Sequence, residues 1–421
     1  MSGRVLKSVG GDAGSESASE STSRVPSLEQ RPRLAAVTTP ASIRDSDLDE
    51  ELYELEEVSR SLEAHTLSEN TRKAYAKAWA TFTEFCRSHD LESLPAHPET
   101  VRWYVAWMAT RTRAEGTAAT QGSPRFAVST IRQHLAGIAE RHLREGYLDP
   151  TTHRSVSDLV RGLGKSRAER PERRRPLLLD DVLRVIAHME HGEHPAGIAA
   201  ARDELAIWLG FVGALRRSEA AALTLRSVRP HREDGVHIHV GRSKADQMNL
   251  LADVVVLPYS GSPRTCAPCA LHRWVQLVLA AERGASLRQC LERQQLARES
   301  LLHVCGAEGS TALLSSGDLD SAAPLLRAVY RNRRDGRIQA EGITGDALHT
   351  MLRTRVREAG LDATAVGFHS LRSGHVTQAR RNGASTEEIM RAGRWQRAET
   401  VGIYDREHNP LARNSVLRLG L

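Results

Sequence analysis

The chain has 421 residues, enough for two or three domains, and 40% of them are hydrophobic, so a sizeable core is feasible. Lys and Arg number 58 against 52 Asp and Glu, a net +6, a mild basic excess compatible with nucleic acid and equally with ordinary surface. No run of eighteen apolar residues appears, the first residues lack a signal-type apolar core, and five cysteines in so long a chain make no disulfide framework, so a cytoplasmic, reducing setting with no membrane contact is expected.

Residues 1–57 read as a tail, rich in Ser, Gly, Pro and charge as far as 44 and acidic over 45–57. Residues 58–163 carry helical periodicity throughout. Ser68 suits a cap ahead of Tyr75, Trp79, Phe82 and Cys86, and Pro98 suits the first turn before Val101, Tyr104, Val105 and Met108. Ile131, Leu135, Ile138 and His142 mark a third helix, and Val156, Leu159, Val160 and Leu163 a fourth, which with short connections make a compact bundle.

A basic linker, 164–176, follows, with Lys165, Arg167, Arg170, Arg173, Arg174 and Arg175 around two prolines. By itself it fits a solvated linker as well as one crossing a phosphate backbone; the rest of the chain favours the second. Residues 177–421 form a second domain, with helices over 180–190, 199–212 and 268–283 and a hairpin from the β-branched runs 236–242 and 254–260. Residues 284–322 have the look of an insertion of helix and loop. Helices resume at 343–359, 369–382, 385–392 and 398–406.

The chemistry gathers in this second domain. Arg216 and Glu219 are three apart, Lys244 lies in the polar turn of the hairpin, and His369 and Arg372 share one helix face, followed by Trp395 and Tyr404. Each alone has a plain structural explanation: an ion pair, a satisfied histidine, a packed aromatic. As a set they suit a phosphodiester. Two guanidinium forks match its non-bridging oxygens, His369 and the Trp395 indole N–H add donors, and a tyrosine hydroxyl among cations becomes a usable nucleophile. Lys244 is placed to protonate a departing 5′ oxygen. Carboxylate pairs with metal-binding spacing are missing, which argues against a two-metal nuclease.

This order of motifs resembles the tyrosine recombinase, or phage integrase, family, and within it the Cre-type members with Trp before the nucleophile. The resemblance covers roughly residues 58–421, weakest over 284–322, and includes TIRQHLAGIAERH, VHIHVGRSK and EEIMRAGRWQRAETVGIY. It implies a mainly α fold with a small antiparallel β-sheet, a helical core-binding bundle followed by a catalytic domain, and a C-shaped clamp on DNA. It implies Arg216 and Arg372 on the scissile phosphate, Glu219 orienting Arg216, Lys244 as leaving-group acid, His369 on the phosphate and taking the nucleophile's proton, Trp395 as transition-state donor and Tyr404 as nucleophile.

Further implications are a homotetramer on double-stranded DNA with an inverted-repeat site, and residues 410–421 as a helix exchanged between protomers. The setting implied is bacterial and nucleoid-associated, with no cofactor. The helix at 343–359 aligns with the family's major-groove reader and offers Asp346, His349 and Arg353, so a target unlike the Cre site is expected. A topoisomerase of type IB, a telomere resolvase or an inactive architectural protein would share parts of this pattern.

Cys266, Cys269 and His272 have the spacing of half a zinc site, which Cys290 and Cys305 could in principle complete. Without a second matched pair, the segment reads instead as a turn into a helix with Leu271, Trp274 and Val275 facing the core, and no metal is expected.

Overall fold

A computed structural model describes residues 67–113, 122–167, 174–241, 253–306, 319–330 and 336–404, with a few isolated residues besides. The chain divides into two compact units, Met1–Arg170 and Pro171–Leu421.

The first unit packs α1 (Glu69–Ser88), α2 (Pro98–Thr110), α3 (Val128–Arg144) and α4 (Arg154–Ser166). Two begin where the sequence offers a start signal: the Ser68 hydroxyl accepts from the Thr71 N–H at 3.2 Å, and Pro98 sits in the first turn of α2. The apolar stripes converge on Phe82, Tyr104, Met108, Ile131, Ile138 and Val156, all fully buried. His142 belongs to this core as a connector: its Nε2 accepts from the Ala96 N–H at 2.8 Å, and its Nδ1 faces the Ile138 carbonyl at 2.8 Å.

The second unit is built around α6 (Ala196–Phe211), buried from Gly197 to Phe211. Apart from Arg202, Asp203 and Glu204 its residues are apolar or glycine, which permits burial on every side once those three charges are paired. Around it lie α5 (Leu179–Ala187), α7 (Arg217–Ala222), α8 (Ala267–Glu282), α9 (Leu287–Glu299), α10 (Gly345–Glu358), α11 (His369–Arg381), α12 (Thr386–Gly393) and α13 (Ala398–Tyr404). The sheet runs β1 (Val228–His231), β2 (Gly235–His239), β3 (Val254–Pro258), antiparallel, with Val236 opposite Leu257 and Ile238 opposite Val255. A two-stranded pair, β4 (Arg327–Val329) and β5 (Ile338–Gly342), completes the described strands. The fold is mainly α with a small antiparallel sheet, as expected; β1, β4 and β5 are additions to that expectation.

One expected boundary shifts, one segment is resolved into helix, and two stretches fall outside the described residues. Helix α4 continues to Ser166, so Lys165 is a helix residue and not part of a linker. Thirteen residues of the segment 284–322, Leu287–Glu299, are regular helix, with the Ser286 hydroxyl accepting from the Gln289 N–H at 3.3 Å and Leu291 buried against the core. The acidic stretch 45–57 and the helix expected over 410–421 fall almost wholly outside the described residues.

The buried faces of α6 also carry charge. Asp203 accepts from Arg202 at 2.5 Å and from Arg355 at 2.8 Å, and Glu204 accepts from Arg273 at 2.9 Å and from Arg298. Both carboxylates are fully buried. Burial alone would raise the Glu204 carboxyl, but the guanidiniums of Arg273 and Arg298 outweigh it and hold it down at about 2. A native value below the unfolded one gives stability that is complete above the unfolded pKa and is lost as pH falls toward the native value. Glu204→Gln should therefore cost about 3–5 kcal/mol at neutral pH, because it leaves the buried Arg273 and the half-buried Arg298 without their counter-charge. It should also flatten the loss of stability between about pH 4.5 and 2. Urea unfolding of both proteins across that range is the measurement, and an unaltered acid slope would refute this account.

Candidate active site

Arg216 ends the loop after α6 and caps α7. Glu219, at the third position of that helix, accepts from the Arg216 backbone N–H at 2.9 Å and from its guanidinium at 2.5 Å. The other side of the carboxylate is held by Arg394, whose Nη2 donates to Glu219 Oε2 at 2.7 Å. Burial would raise the Glu219 carboxyl, yet Arg394, the Arg216 N–H and the Arg216 guanidinium lower it below the usual carboxylate range. Glu219 therefore stays ionised and fixes Arg216 in place, leaving the Arg216 side chain 26% exposed.

Arg372 lies one turn along α11 from His369 and is fully buried. Its Nη2 donates to the Gly393 carbonyl at 2.6 Å and its Nη1 to the Ala214 carbonyl. One guanidinium thus ties the segment before Arg216 to the segment before Arg394. The Trp395 ring covers it, with the Arg372 Cζ 4.0 Å from the ring centroid, a cation–π contact. The expected phosphate-binding pair is therefore split: Arg216 reaches solvent, and Arg372 is closed off beneath Trp395.

Gly393 makes this stacking possible. A Cβ there would meet Trp395 Cζ3 at 1.6 Å, and Arg394 turns the chain in the left-handed region at φ 57° to bring the indole back over Arg372. Trp395 packs with Ala214, Val376, Ile389 and Val401 in a small separate cluster, and Val401 seats α13 there. That helix ends at Tyr404, whose side chain lies outside the described residues. His369 opens α11 at an exposed position. Lys244 also lies outside the described residues, but the strands that flank it, β2 and β3, pair as expected, and the Val240 N–H donates to the Asp253 carbonyl at 2.9 Å as the hairpin leaves the sheet. Asp253 reaches back to Arg394, with Nε to Oδ2 at 3.5 Å.

Arg394 is the residue that sequence reasoning missed. It bridges the Arg216 carboxylate partner and the base of the Lys244 hairpin. The signal was present in the charged residue wedged between Gly393 and Trp395, a position that offers no periodic pattern to read.

The residues expected to touch DNA are used in different ways. Lys165 is exposed on α4. Arg167 is committed to its own unit, donating to the Phe126 carbonyl at 2.8 Å and to the Ala109 carbonyl, which corrects its assignment to a free basic linker. Arg173 lies outside the described residues. Arg174 donates to the Val366 carbonyl at 3.4 Å, and Arg175 pairs with Asp181 at 3.2 Å while its N–H donates to the Ala365 carbonyl at 2.8 Å. On α10, exposed Asp346 pairs with Arg217 at 2.6 Å, and His349 and Arg353 are half-buried. Partial burial and the neighbouring Arg174, Arg353 and Arg217 lower the His349 pKa, so a basic surface surrounds a neutral imidazole.

No protein-family model matches the chain. An integrase/recombinase xerD homolog of Selenomonas ruminantium is 25% identical over 355 residues, 84% of this chain and 86% of that protein. The recombinase Cre of Escherichia phage P1 is 26% identical over 372 residues, 87% of this chain and 92% of that protein. Among solved structures, the Tn1549 transposon integrase in complex with transposon right end DNA aligns over 88% of this chain and 99% of that one, at 13% identity and a TM-score of 0.47. The chain resembles the tyrosine recombinases across most of its length. Cre is among the proteins that it resembles.

Gly393→Ala tests the stacking directly. The added methyl must displace Trp395, and with it the Gly393 carbonyl that receives Arg372. Misplacement of a positioned group by about 1 Å can cost on the order of a hundredfold in rate. Strand cleavage by this variant is expected to fall by about that factor, with DNA binding retained. Cleavage at the parental rate would show that the stacked arrangement is dispensable.

Proposed function

We propose that the protein is a site-specific DNA recombinase that cuts and rejoins strands through a 3′-phosphotyrosyl intermediate. The observation that carries this reading is the convergence of Arg216, Glu219, Arg372 and Trp395, from distant parts of the chain, beside the cluster on which the helix of Tyr404 is seated. Both curated relatives bear the names of recombinases, which favours this reading over a topoisomerase, a telomere resolvase or an inactive architectural protein.

Tyr404 attacks a DNA phosphorus, and the bond from phosphorus to the 5′ oxygen breaks as the tyrosyl–phosphorus bond forms. His369 takes the phenolic proton, and Lys244 supplies a proton to the departing 5′ oxygen. Arg216, Arg372 and the Trp395 indole N–H stabilise charge on the pentacovalent phosphorus. Trp395 covers Arg372 in this structure, so in this proposal DNA binding shifts the ring while the Gly393 and Ala214 carbonyls keep the guanidinium in place. A 5′-hydroxyl from the partner strand then attacks in reverse. The covalent link keeps the phosphodiester bond energy, so resealing needs no nucleotide.

In this proposal the substrate is double-stranded DNA with an inverted-repeat site, read in part by α10 through Asp346, His349 and Arg353. The Arg217–Asp346 pair must open, or be used as a unit, for the carboxylate to accept from a cytosine amine. Lys165, Arg173, Arg174 and Arg175 supply sequence-independent phosphate contacts. The active assembly is a homotetramer with the segment 410–421 exchanged between protomers, working on nucleoid DNA. Among the described residues no helix is long and apolar enough to cross a membrane.

Trapping the covalent complex on a DNA library, followed by denaturing electrophoresis and sequencing of the bound fragments, tests chemistry and site together. Tyr404→Phe should abolish the adduct and leave DNA binding close to the parental level. Lys244→Ala should slow cleavage on the order of a hundredfold or more, with rescue on a substrate whose 5′-sulfur leaving group needs no acid. An adduct that survives in Tyr404→Phe would rule out this nucleophile.

A further inference from the structure

The cysteines set aside in the sequence come together in an unexpected combination. Cys266 and Cys269 meet Cys305, 39 residues beyond Cys266, and His303 beside it. The ligand atoms of these four residues all lie within 4.8 Å of one another. His272, the nearer imidazole in the sequence, is directed to Gln276 at 2.9 Å, and Cys290 lies 3.6 Å from Gln294 on α9.

We propose that Cys266, Cys269, His303 and Cys305 form a structural zinc site that fastens the segment after α9 to the exit of β3. The geometry is that of a tetrahedron waiting for its centre. With Zn–S near 2.3 Å and Zn–N near 2.0–2.1 Å, tetrahedral edges are about 3.8 Å between sulfurs and about 3.5 Å between sulfur and nitrogen. The Cys266 and Cys305 sulfurs are 3.6 Å apart, and His303 Nδ1 is 3.5 Å from Cys269 and 3.9 Å from Cys305. A disulfide would need about 2.05 Å between sulfurs and would leave Cys269 and His303 without a purpose; all three cysteines are free thiols.

The chemistry of the donors agrees. Three thiols and an imidazole suit zinc, whereas calcium and magnesium take oxygen ligands, and an iron–sulfur cluster is held by four thiolates. Cys266 precedes the first residue of α8 and Cys269 lies in its first turn, so one helix start presents two sulfurs together. An alternative is a small apolar cluster of reduced thiols. That reading fits poorly, because among the described residues the partly buried hydrophobic side chains packed against the three sulfurs are Tyr259 and Val304, too little carbon for a core. The segments concerned also need a fastening, since Ser260–Thr265 and His303–Gly306 belong to no helix or strand.

The site is independent of the recombinase reading and has its own test. The full-length protein, purified without chelator, should hold about one zinc per chain by elemental mass spectrometry. Cys266→Ser and Cys305→Ser should reduce it to background, while Cys290→Ser and His272→Ala keep it. Since loss of a ligand can also unfold the region, Co2+ added to chelator-treated parental protein gives a second readout. Tetrahedral thiolate ligation produces intense visible absorption and a sulfur-to-cobalt charge-transfer band, and His303→Ala should keep the charge transfer while shifting the visible bands. A parental protein with neither zinc nor a thiolate–cobalt spectrum would overturn the proposal. So would zinc that persists in both serine variants, or a Cys266–Cys305 disulfide found by alkylation and intact mass.

Discussion

A guanidinium buried to the last atom is expensive unless its N–H groups are matched and its charge is answered. Arg372 sets its two terminal nitrogens on backbone carbonyls and its face against an indole ring. The carbonyls belong to Ala214 and Gly393, so satisfying one side chain brings together the loop after α6 and the turn after α12. Those two segments present Arg216 and Arg394, and both converge on Glu219. The arrangement of the site thus follows from one desolvated cation seeking partners. The second unit holds a similar solution deeper in, where Asp203 and Glu204 gather four arginines about α6. Strongly ionic interiors of this kind favour one arrangement over near alternatives, because any slip leaves a charge alone.

The helical parts were legible in the sequence because their signals are local. Ser68 and Pro98 mark starts, and the apolar residues recur with the helical period up to each end. The β2–β3 hairpin was legible from two β-branched runs around a polar turn. The short strands β4 and β5 were not, since three to five residues carry too little alternation to stand out. Helix was expected within 284–322, but the bounds of α9 were not legible: LRQCLERQQLARE buries only Leu291 and Gln294, so its periodicity is weak.

For the site, residue types and order were enough to nominate Arg216, Glu219, His369, Arg372 and Trp395. Their mutual arrangement was not legible, because contacts such as Arg372 to Ala214 span long stretches of chain and are decided by burial. The role of Arg394 depends on a left-handed backbone turn that no pattern announces. The cysteine cluster shows the same limit. Nearness in sequence suggested His272, but that imidazole turns to Gln276, and the chain returns with His303 only after a complete helix.

The segment Arg174–Leu177 lies along the start of α11: the Arg175 N–H donates to Ala365 and the Leu177 N–H to Ser370, and a side chain on Gly374 would collide with the Leu177 carbonyl, its Cβ only 1.7 Å away. The polypeptide thus arrives in this unit already clasped to the helix that bears His369 and Arg372. Among the described residues there is no slack between Arg175 and the helix of His369 and Arg372. A shift of Arg175 or Leu177 is passed straight to the start of that helix, because their N–H groups are bonded to Ala365 and Ser370 with no intervening loop.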